Sequence, residues 1–318
     1  MSKNKIRVGL YGANGHQITS KLVNHPSAIL HAAAGITPES LKDIKPAPRI
    51  YENLAAMLAD KEIELISLCS PLRSGQAQEA IQCMQAGKHV YAEKPCAMTE
   101  KELDLIIETS SRLKVQFHEM AGTGFEQPYL AMREIVASGT IGTVVQVLAQ
   151  KSYPYFDSRP QDEDIDGGLL LQVWIHAARF VEHVAGVRIA DIDAFETKLG
   201  NPKAGNLRMA ASMSARLENG GVASIISNYL NPRSFTSWGN ETLRIFGTKG
   251  FVEAVDGGTK TRLVLGEKDC GQIDIKEKPL DYFDMYVDSL LGKGKMPISL
   301  EDELHPLRML IRCREYLS

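Results

Sequence analysis

Short apolar runs alternate with segments of helical periodicity along the first 120 residues, and this alternation constrains the fold more than any other feature. The last helical segment is the clearest, because Thr99 and Glu102 have the spacing of a capping box. Strands joined through helices pair in parallel with right-handed crossovers. We therefore predict that residues 1–122 form an α/β domain with a doubly wound parallel sheet. The predicted strands are Ile6–Tyr11, Ile29–Ala34, Leu65–Cys69, His89–Ala92 and Val115–Met120, and the predicted helices lie near His16–Asn24, Asn53–Asp60, Gln76–Ala86 and Glu100–Lys114.

From about Thr123 the pattern becomes that of a second, α+β domain over residues 123–299. Polar and apolar residues alternate along Arg208–Leu217, which indicates a sheet with one covered face. Turns at Glu218–Gly221 and Thr248–Gly250 join consecutive strands as hairpins, so these strands are antiparallel. The predicted strands are Val144–Lys151, Ile189–Thr197, Arg208–Leu217, Val222–Leu230, Leu243–Phe246, Phe251–Val255 and Arg262–Leu265, and the predicted helices lie near Pro128–Ser138, Leu169–Ala185, Leu280–Leu291 and Leu300–Leu317.

The composition excludes several classes of protein. The 318 residues suffice for two domains. The 36 Lys and Arg against 39 Asp and Glu leave a net charge of −3, so no overall field attracts nucleic acid or an anionic membrane. No apolar stretch reaches the roughly 18 residues that span a bilayer, and the beginning, MSKNKIRVGLYG, is not typical of a signal peptide. The 5 cysteines lack CxxC spacing and the histidines lack metal-ligand spacing, which predicts reduced thiols in a cytoplasmic protein without a metal site.

A glycine-containing loop, Gly12-Ala13-Asn14-Gly15-His16-Gln17, follows the first predicted strand. A glycine turn between the first strand and helix lets the backbone approach a pyrophosphate. Here Asn14 and Gln17 stand where the second and third glycines are usual. Asn14 tolerates the positive φ of such a turn, whereas Gln17 must point at the cofactor space or push the helix away. The alternative is a plain βα turn that binds no ligand.

The second predicted strand ends without the carboxylate that would bind the hydroxyls of an adenosine ribose. Thr37, Ser40 and Lys42 follow this strand. They could receive the 2′-phosphate of NADP, or they could simply be solvated. The choice between NAD and NADP therefore stays open.

Glu93-Lys94-Pro95 follows the strand His89–Ala92, at the end of a parallel sheet where ligands bind. A lysine beside a reacting hydroxyl can stabilise oxyanion charge or relay a proton. The decamer Ala86–Pro95, AGKHVYAEKP, resembles the hallmark of the Gfo/Idh/MocA family, which includes glucose–fructose oxidoreductase and inositol dehydrogenase. The resemblance extends over nearly the whole chain, with further similar motifs at Ser67–Pro71, Ser138–Gly142, Phe246–Gly250 and Pro297–Asp302.

This resemblance implies an NAD(P)-binding Rossmann domain, in which Lys94 lies near the nicotinamide. The cofactor would be bound by the loop Gly12–Gln17 and by Ser70, Pro71, Arg73, Glu93 and Lys94. The resemblance also implies that the second domain has an open, mainly antiparallel sheet, with one face on the active site and the other forming a homo-oligomer, a dimer or tetramer. The terminal helix, residues 300–318, would pack back on the nucleotide domain.

The family's catalytic segment would be Asp166–Arg179, with His176 as the general base that takes the hydroxyl proton. This sequence departs from the family pattern, since Gln172 and Arg179 stand where carboxylates are usual and Trp174 where a glycine is usual. Gly75 also replaces a histidine. On an α-helix Gln172, His176 and Arg179 share one face, where Arg179 would depress the pKa of His176 if close.

Two tyrosines, Tyr153 and Tyr155, end the first strand of the second domain, where they could contact a substrate or simply pack. The predicted function is an NAD(P)-dependent oxidoreductase that acts on a hydroxyl or carbonyl carbon of a sugar, polyol or related small molecule. The alternative is a non-catalytic relative that binds a nucleotide or sugar with a degenerate active site. A third, weaker idea is an enzyme that recycles a tightly held cofactor in place.

Overall fold

A computed structural model describes residues 5–275 and 278–317. The chain divides into two compact units. Unit 1 comprises the residues up to Met120 together with Asp164–Asp166 and Tyr282–Glu301, and unit 2 comprises Ala121–Glu163, Gly167–Asp281 and the chain from Asp302 onward. Residues 1–4 of the predicted first domain and residue 318 of the predicted terminal helix lie outside the described residues.

Unit 1 is built on a parallel sheet of 6 strands in the order β3-β2-β1-β4-β5-β6. This order confirms the predicted doubly wound α/β sheet. Every residue of β4 is buried, as a central parallel strand requires. The strand β3 was not predicted, because it has only 3 residues and none of them is buried. The strands are β1 Ile6–Tyr11, β2 Ala28–Ala34, β3 Arg49–Tyr51, β4 Leu65–Leu68, β5 His89–Ala92 and β6 Phe117–Glu119.

The helices of the chain begin and end close to the predicted residues wherever a local cap defines them. Asn53 accepts a hydrogen bond from the Ala56 amide at the start of the first helix. Thr99 and Glu102 form the predicted capping box. In chain order the helices are α1 Leu54–Leu58, α2 Arg73–Gln85, α3 Glu100–Leu113, α4 Tyr129–Ala137, α5 Glu163–Asp166, α6 Ile175–Arg179, α7 Tyr282–Leu290 and α8 Leu300–Tyr316.

The predicted helix near His16–Asn24 is wrong, because this segment contains a single 3₁₀ turn, Ser20–Leu22. Local residues compete with helix formation here. The Gln17 side-chain oxygen accepts from the Ile18 amide, and the β-branched and hydroxyl residues that follow favour other conformations. Asn24 then takes a left-handed φ of 56°. The glycine loop is therefore not followed by the α-helix that usually faces a pyrophosphate.

Unit 2 contains a sheet of 8 strands in the order β14-β13-β12-β11-β7-β10-β9-β8. All neighbouring pairs are antiparallel except β10 with β7, which confirms the mainly antiparallel sheet. The strand β14 was not predicted, and all of its residues are exposed. The strands are β7 Val144–Pro154, β8 Ile189–Thr197, β9 Ala210–Leu217, β10 Val222–Asn231, β11 Thr242–Gly247, β12 Gly250–Val255, β13 Lys260–Leu265 and β14 Lys268–Gly271.

One face of this second sheet is covered by α6 and by the π-helical segments on either side of it, Leu169–Trp174 and Phe180–Val184. These three segments replace the continuous helix predicted near Leu169–Ala185. None of the described helices combines the length and the apolarity that crossing a bilayer requires.

The terminal helix from Asp302 onward groups with unit 2, and its predicted packing on the nucleotide domain stays a prediction. Two polar side chains of this helix have ion-pair partners in unit 2. Arg188 forms an ion pair with Asp302 at 2.5 Å, and His305 Nδ1 lies 2.9 Å from the Glu182 carboxylate. The helix α7 groups with unit 1 instead, where the Tyr286 hydroxyl donates to the Gln116 carbonyl at 2.8 Å.

Candidate active site

The loop Gly12–Gln17 follows β1 and approaches a buried carboxylate. Gly15 has a φ of 116°, and a Cβ atom added to it would lie 2.5 Å from Glu93 Oε2. Only glycine therefore permits both this backbone conformation and this close approach. Asn14 is not among the residues with positive φ, so Gly15 makes the turn that was predicted for Asn14.

Gln17 neither points at the cofactor space nor pushes a helix away, since its side-chain amide forms hydrogen bonds with the ends of the central strands. Its Nε2 donates to the Gly12 carbonyl at 3.0 Å and, more weakly, to the Tyr11 carbonyl at 3.3 Å. Its Oε1 accepts from the Ser67 hydroxyl at 2.6 Å. The side chain that was expected to obstruct the cofactor or displace a helix instead closes the turn.

Glu93 is the carboxylate that holds the loop, and it is completely buried. Its Oε2 accepts from the His16 backbone amide and lies 2.9 Å from His16 Nδ1. Its Oε1 accepts from the Lys94 amide at 2.9 Å. Burial alone would raise the pKa of Glu93, but the hydrogen bond from His16 and the charges of Lys94, His16 and Arg73 lower the pKa to about 2. The group is therefore ionised at neutral pH.

Two side chains of α2 join the glycine loop to the segments beside it. The Arg73 guanidinium donates to the Asn14 carbonyl at 2.8 Å and to Gln76 Oε1 at 2.6 Å. Gln76 Nε2 donates to the carbonyls of Glu93 at 2.5 Å and Pro95 at 2.8 Å. Gln76 Oε1 also accepts from the Ser70 amide at 3.2 Å. Sequence reasoning missed Gln76, whose only signal was its place in the helix after the Ser70-Pro71 loop.

The predicted cofactor residues Gly12–Gln17, Ser70, Pro71, Arg73 and Glu93 thus form one connected group within unit 1. Asn14 Nδ2 adds a bond to the Pro71 carbonyl at 3.1 Å. These residues fit a dinucleotide phosphate. Gly15 is exposed and presents backbone without a Cβ atom, and the buried Arg73 supplies a positive charge beneath the loop, with its Nε atom lacking a hydrogen-bond partner among the described residues. In most such loops the N-terminus of the following helix supplies the positive potential for the phosphate, and here the charge of Arg73 can supply it instead.

The hallmark decamer separates into structural residues and site residues. Lys88 Nζ donates to the carbonyls of Asp60 at 2.7 Å and Ile63 at 2.9 Å, and burial lowers its pKa. His89 Nδ1 accepts from the Gln116 amide at 2.9 Å. Both therefore fix the entry into β5. Lys94 lies at the opposite end of β5, where its side chain is 1% exposed.

In unit 2, Gly167 and Gly168 precede the predicted catalytic segment with φ values of 97° and 65°. A Cβ atom added to Gly168 would lie 2.5 Å from the Glu163 carboxyl carbon. The next residue is Leu169, the first residue of a π-helical segment. The wider turns of a π-helix change which residues share a face.

His176 is half-buried, and its Nδ1 lies 3.0 Å from the Thr123 hydroxyl. This contact orients the imidazole ring and directs Nε2 away from Thr123. The Tyr153 ring packs edge-on, with ring centroids 6.4 Å apart and an interplanar angle of 66°. No sequence pattern links Thr123 to His176, because they are 53 residues apart. The structure thus adds Thr123 to the predicted site.

Arg179 differs in burial from Gln172 and His176. Both of these residues are half-buried, whereas Arg179 is completely buried. The charge of Arg179 acts on another histidine. Burial, and then the charge of Arg179, lower the pKa of His183 to about 4. The substrate contact predicted for Arg179 stays a prediction.

Further aromatic residues that the sequence did not single out lie beside Tyr153. Trp238 lies 5.8 Å from Tyr153 and 5.5 Å from Phe156, between ring centroids. The Tyr155 hydroxyl is buried and has no hydrogen-bond partner among the described residues. Tyr153 thus lies beside His176, which is the neighbourhood predicted for a substrate contact, although its role stays a prediction.

The choice of nicotinamide cofactor is not decided by the residues after β2. Thr37 and Ser40 are exposed, and their hydroxyl oxygens lie 2.8 Å apart. Lys42 is exposed as well. A 2′-phosphate contact by these residues stays a prediction.

Among the described residues, one group has the geometry to hold a metal ion, His31, Asp60 and Glu62. Arg49 already neutralises it, with guanidinium contacts of 3.0 Å to Asp60 and 2.8 Å to Glu62. Tyr51 also donates to Asp60 at 2.7 Å. This group is therefore an ion-pair cluster at the edge of the sheet.

Comparison with known proteins identifies the family. Residues 6–120 match "Oxidoreductase family, NAD-binding Rossmann fold", and residues 129–253 match "GFO/IDH/MocA C-terminal domain". Myo-inositol 2-dehydrogenase of Thermotoga maritima is 24% identical over 306 residues, which cover 91% of this chain and 86% of that protein.

Solved structures show the same fold. An oxidoreductase of Thermotoga maritima has a TM-score of 0.88 at 22% identity, covering 98% of this chain and 97% of its own. Aldose–aldose oxidoreductase of Caulobacter crescentus, complexed with glycerol, has a TM-score of 0.82 at 19% identity, covering 98% of each chain. The chain therefore belongs to the Gfo/Idh/MocA family of oxidoreductases, with an NAD(P)-binding Rossmann domain followed by the family's C-terminal domain.

Proposed function

We propose that this protein is an NAD(P)-dependent dehydrogenase that acts on a hydroxyl or carbonyl carbon of a sugar, polyol or related small molecule. The observation that carries the proposal is the carboxylate of Glu93, which bonds both the glycine loop and the Lys94 amide. The phosphate loop and the candidate catalytic lysine are thereby held by one buried group. The relative named for myo-inositol supports the polyol class.

The proposed roles follow from the chemistry of each side chain. The nicotinamide, when bound, accepts or supplies the hydride. Lys94 is a cation that stabilises negative charge on the substrate oxygen. His176 exchanges the hydroxyl proton through Nε2, while Thr123 orients the ring from Nδ1. Gln172 and Tyr155 are proposed as neutral hydrogen-bonding groups for the substrate.

Turnover measurements test this proposal. Purified protein is incubated with NAD⁺ or NADP⁺ and a panel of inositols, aldoses and glycosides, and reduced cofactor is followed by absorbance. We expect turnover in the wild type and a loss of at least about 100-fold in Lys94→Ala and His176→Ala. Unchanged turnover in both variants would show that other residues are catalytic.

The non-catalytic alternative keeps one observation in its favour, since Gln172 and Arg179 lack the carboxylates that the family pattern places there. Cofactor binding without turnover on any panel member would support it. A tightly held, recycled cofactor has its own test, because denaturing the purified protein would release a nicotinamide dinucleotide.

We also propose that the open face of the second sheet forms a homo-oligomer. Phe195 on β8 is 79% exposed, and Ile226 on β10 is 42% exposed. Both residues pair with Ser212 of β9, which lies between them, so the three form one row across the sheet. Exposed apolar side chains in one row are typical of an association surface. Light scattering should give a mass above that of one chain, and Phe195→Glu should lower it.

A further inference from the structure

Trp238 is exposed to an unusual degree for an aromatic residue beside a candidate active site. It belongs to the loop that joins β10 to β11, and it is 56% exposed. The only other tryptophan, Trp174, is completely buried. The Phe156 ring stacks with Trp238 at 5.5 Å and an interplanar angle of 20°. A large aromatic surface is therefore held in place without being covered.

Polar bonds fix the backbone of this loop to β7. Asn231 Nδ2 donates to the Ser152 carbonyl at 2.7 Å and to the Trp238 carbonyl at 3.1 Å. The Ser152 amide donates to the Gly239 carbonyl at 2.9 Å. Asn231 is itself buried. The indole is thus positioned before any ligand arrives, so little ordering cost opposes stacking on it.

The ring contacts lead from His176 to Trp238 through Tyr153. The Tyr153 ring lies 6.4 Å from the His176 ring and 5.8 Å from the Trp238 ring, between centroids. The ring of Tyr153 therefore lies between Trp238 and the candidate base His176. A single sugar ring reacting at His176 need not reach it, whereas a second ring attached to the first can.

Polar groups surround this aromatic surface. The Arg233 guanidinium lies over the Phe156 ring, 4.9 Å from its centroid. Lys151 Nζ lies 5.5 Å from the Tyr153 centroid and pairs with Glu241. An aromatic face rimmed by hydrogen-bonding groups matches a pyranose ring, which has an apolar C–H face and polar hydroxyl edges.

We propose that Trp238 is a stacking subsite for a second sugar ring, so that the substrate class of this protein is a glycoside rather than a free monosaccharide or an acyclic polyol. This inference rests on the proposed function, because it extends the substrate site beside His176. Trp238 then determines specificity and takes no part in proton transfer. Removing it should weaken binding of two-ring substrates only.

The test compares cellobiose, glucose and sorbitol as probes with the wild type, Trp238→Ala and Trp238→Phe. Phe235→Ala is the matched control, because Phe235 is an exposed aromatic residue of the same loop. We expect KM for cellobiose to rise about tenfold in Trp238→Ala, with kcat little changed. Trp238→Phe should keep part of the affinity, and Phe235→Ala should match the wild type. Any turnover of sorbitol or glucose, which lack a second ring to reach Trp238, should be the same in every variant.

Fluorescence gives a second readout that does not need turnover. Cellobiose should quench the emission of the wild type, and Trp238→Phe, which retains only the buried Trp174, should not respond. Turnover with equal KM for cellobiose in wild type and Trp238→Ala would overturn the subsite and leave the proposed function intact. If no probe is turned over, the proposed function fails, while quenching by cellobiose that disappears in Trp238→Phe would still support the subsite. If cellobiose fails to quench the wild-type emission and its KM does not change in Trp238→Ala, the subsite proposal is overturned.

Discussion

Replacing Glu93 with glutamine tests the buried group that organises the cofactor loop. A glutamine is close to the same size, but its Nε2 is a donor. If its oxygen accepts from the Lys94 amide, its Nε2 faces the His16 amide, and two donors then oppose each other. The variant therefore loses at least one charge-assisted hydrogen bond in a buried position.

The magnitude follows from the pKa of Glu93, which falls from an ordinary value of 4.5 to about 2 in the folded protein. This shift corresponds to about 3 kcal/mol in favour of the folded, ionised state. A lowered carboxyl pKa contributes stability that is fully present above pH 4.5 and is lost as the pH falls through 2. We expect Glu93→Gln to unfold roughly 6–12 °C below the wild type at pH 7, and the difference to shrink below pH 4.5.

Calorimetric unfolding and NADH titration together measure this effect. Because Glu93 holds the His16 amide, the variant should also bind NADH at least about tenfold more weakly. Glu79→Gln is the matched control in the same unit, since its oxygen can still accept from the Tyr11 hydroxyl, and it should lose less than about 1 kcal/mol. If Glu93→Gln were as stable as the wild type and bound NADH equally well, the role given to this carboxylate would be refuted.

Three further changes have defined outcomes. Gly168→Ala should destabilise the protein by more than about 1 kcal/mol in urea unfolding, because its φ is 65° and the new Cβ would meet Glu163. Thr123→Val should lower kcat about tenfold with KM unchanged, and Thr123→Ser should restore it, because only a hydroxyl can orient His176. Burial, and then the charge of Glu163, raise the pKa of Glu196 from 4.5 to about 7, so wild-type stability should fall as the pH rises from 4.5 through 7. Glu196→Gln should remove this dependence in denaturation curves and be more stable by about 3 kcal/mol at pH 8.

Features that depend on neighbours in sequence were predictable. The capping box of α3 uses Thr99 and Glu102, three residues apart, and the structure has it as expected. The parallel order of the first sheet followed from strands alternating with helices. By contrast, His16 and Glu93 are 77 residues apart, and no local pattern announces a pair at that separation.

The failures have physical reasons of the same kind. The helix near His16–Asn24 was predicted from position after a glycine turn, but the Gln17 amide is bonded to the strand ends instead. The shared face of Gln172, His176 and Arg179 assumed one continuous α-helix, whereas Gln172 lies in a π-helical segment and only His176 and Arg179 lie in α6. No sequence motif marked Trp238, because the position of a loop residue depends on the strands that carry the loop.

Direct titration with NADH and NADPH, followed by calorimetry, tests the central claim that the Gly12–Gln17 loop binds a nicotinamide dinucleotide without a following α-helix. Gly15→Ala serves as the matched variant, because the added Cβ would meet the Glu93 carboxylate. We expect saturable binding of at least one cofactor to the wild type and a large loss of affinity in Gly15→Ala. Absence of binding of both cofactors at high micromolar concentration, or equal affinity in Gly15→Ala, would contradict it.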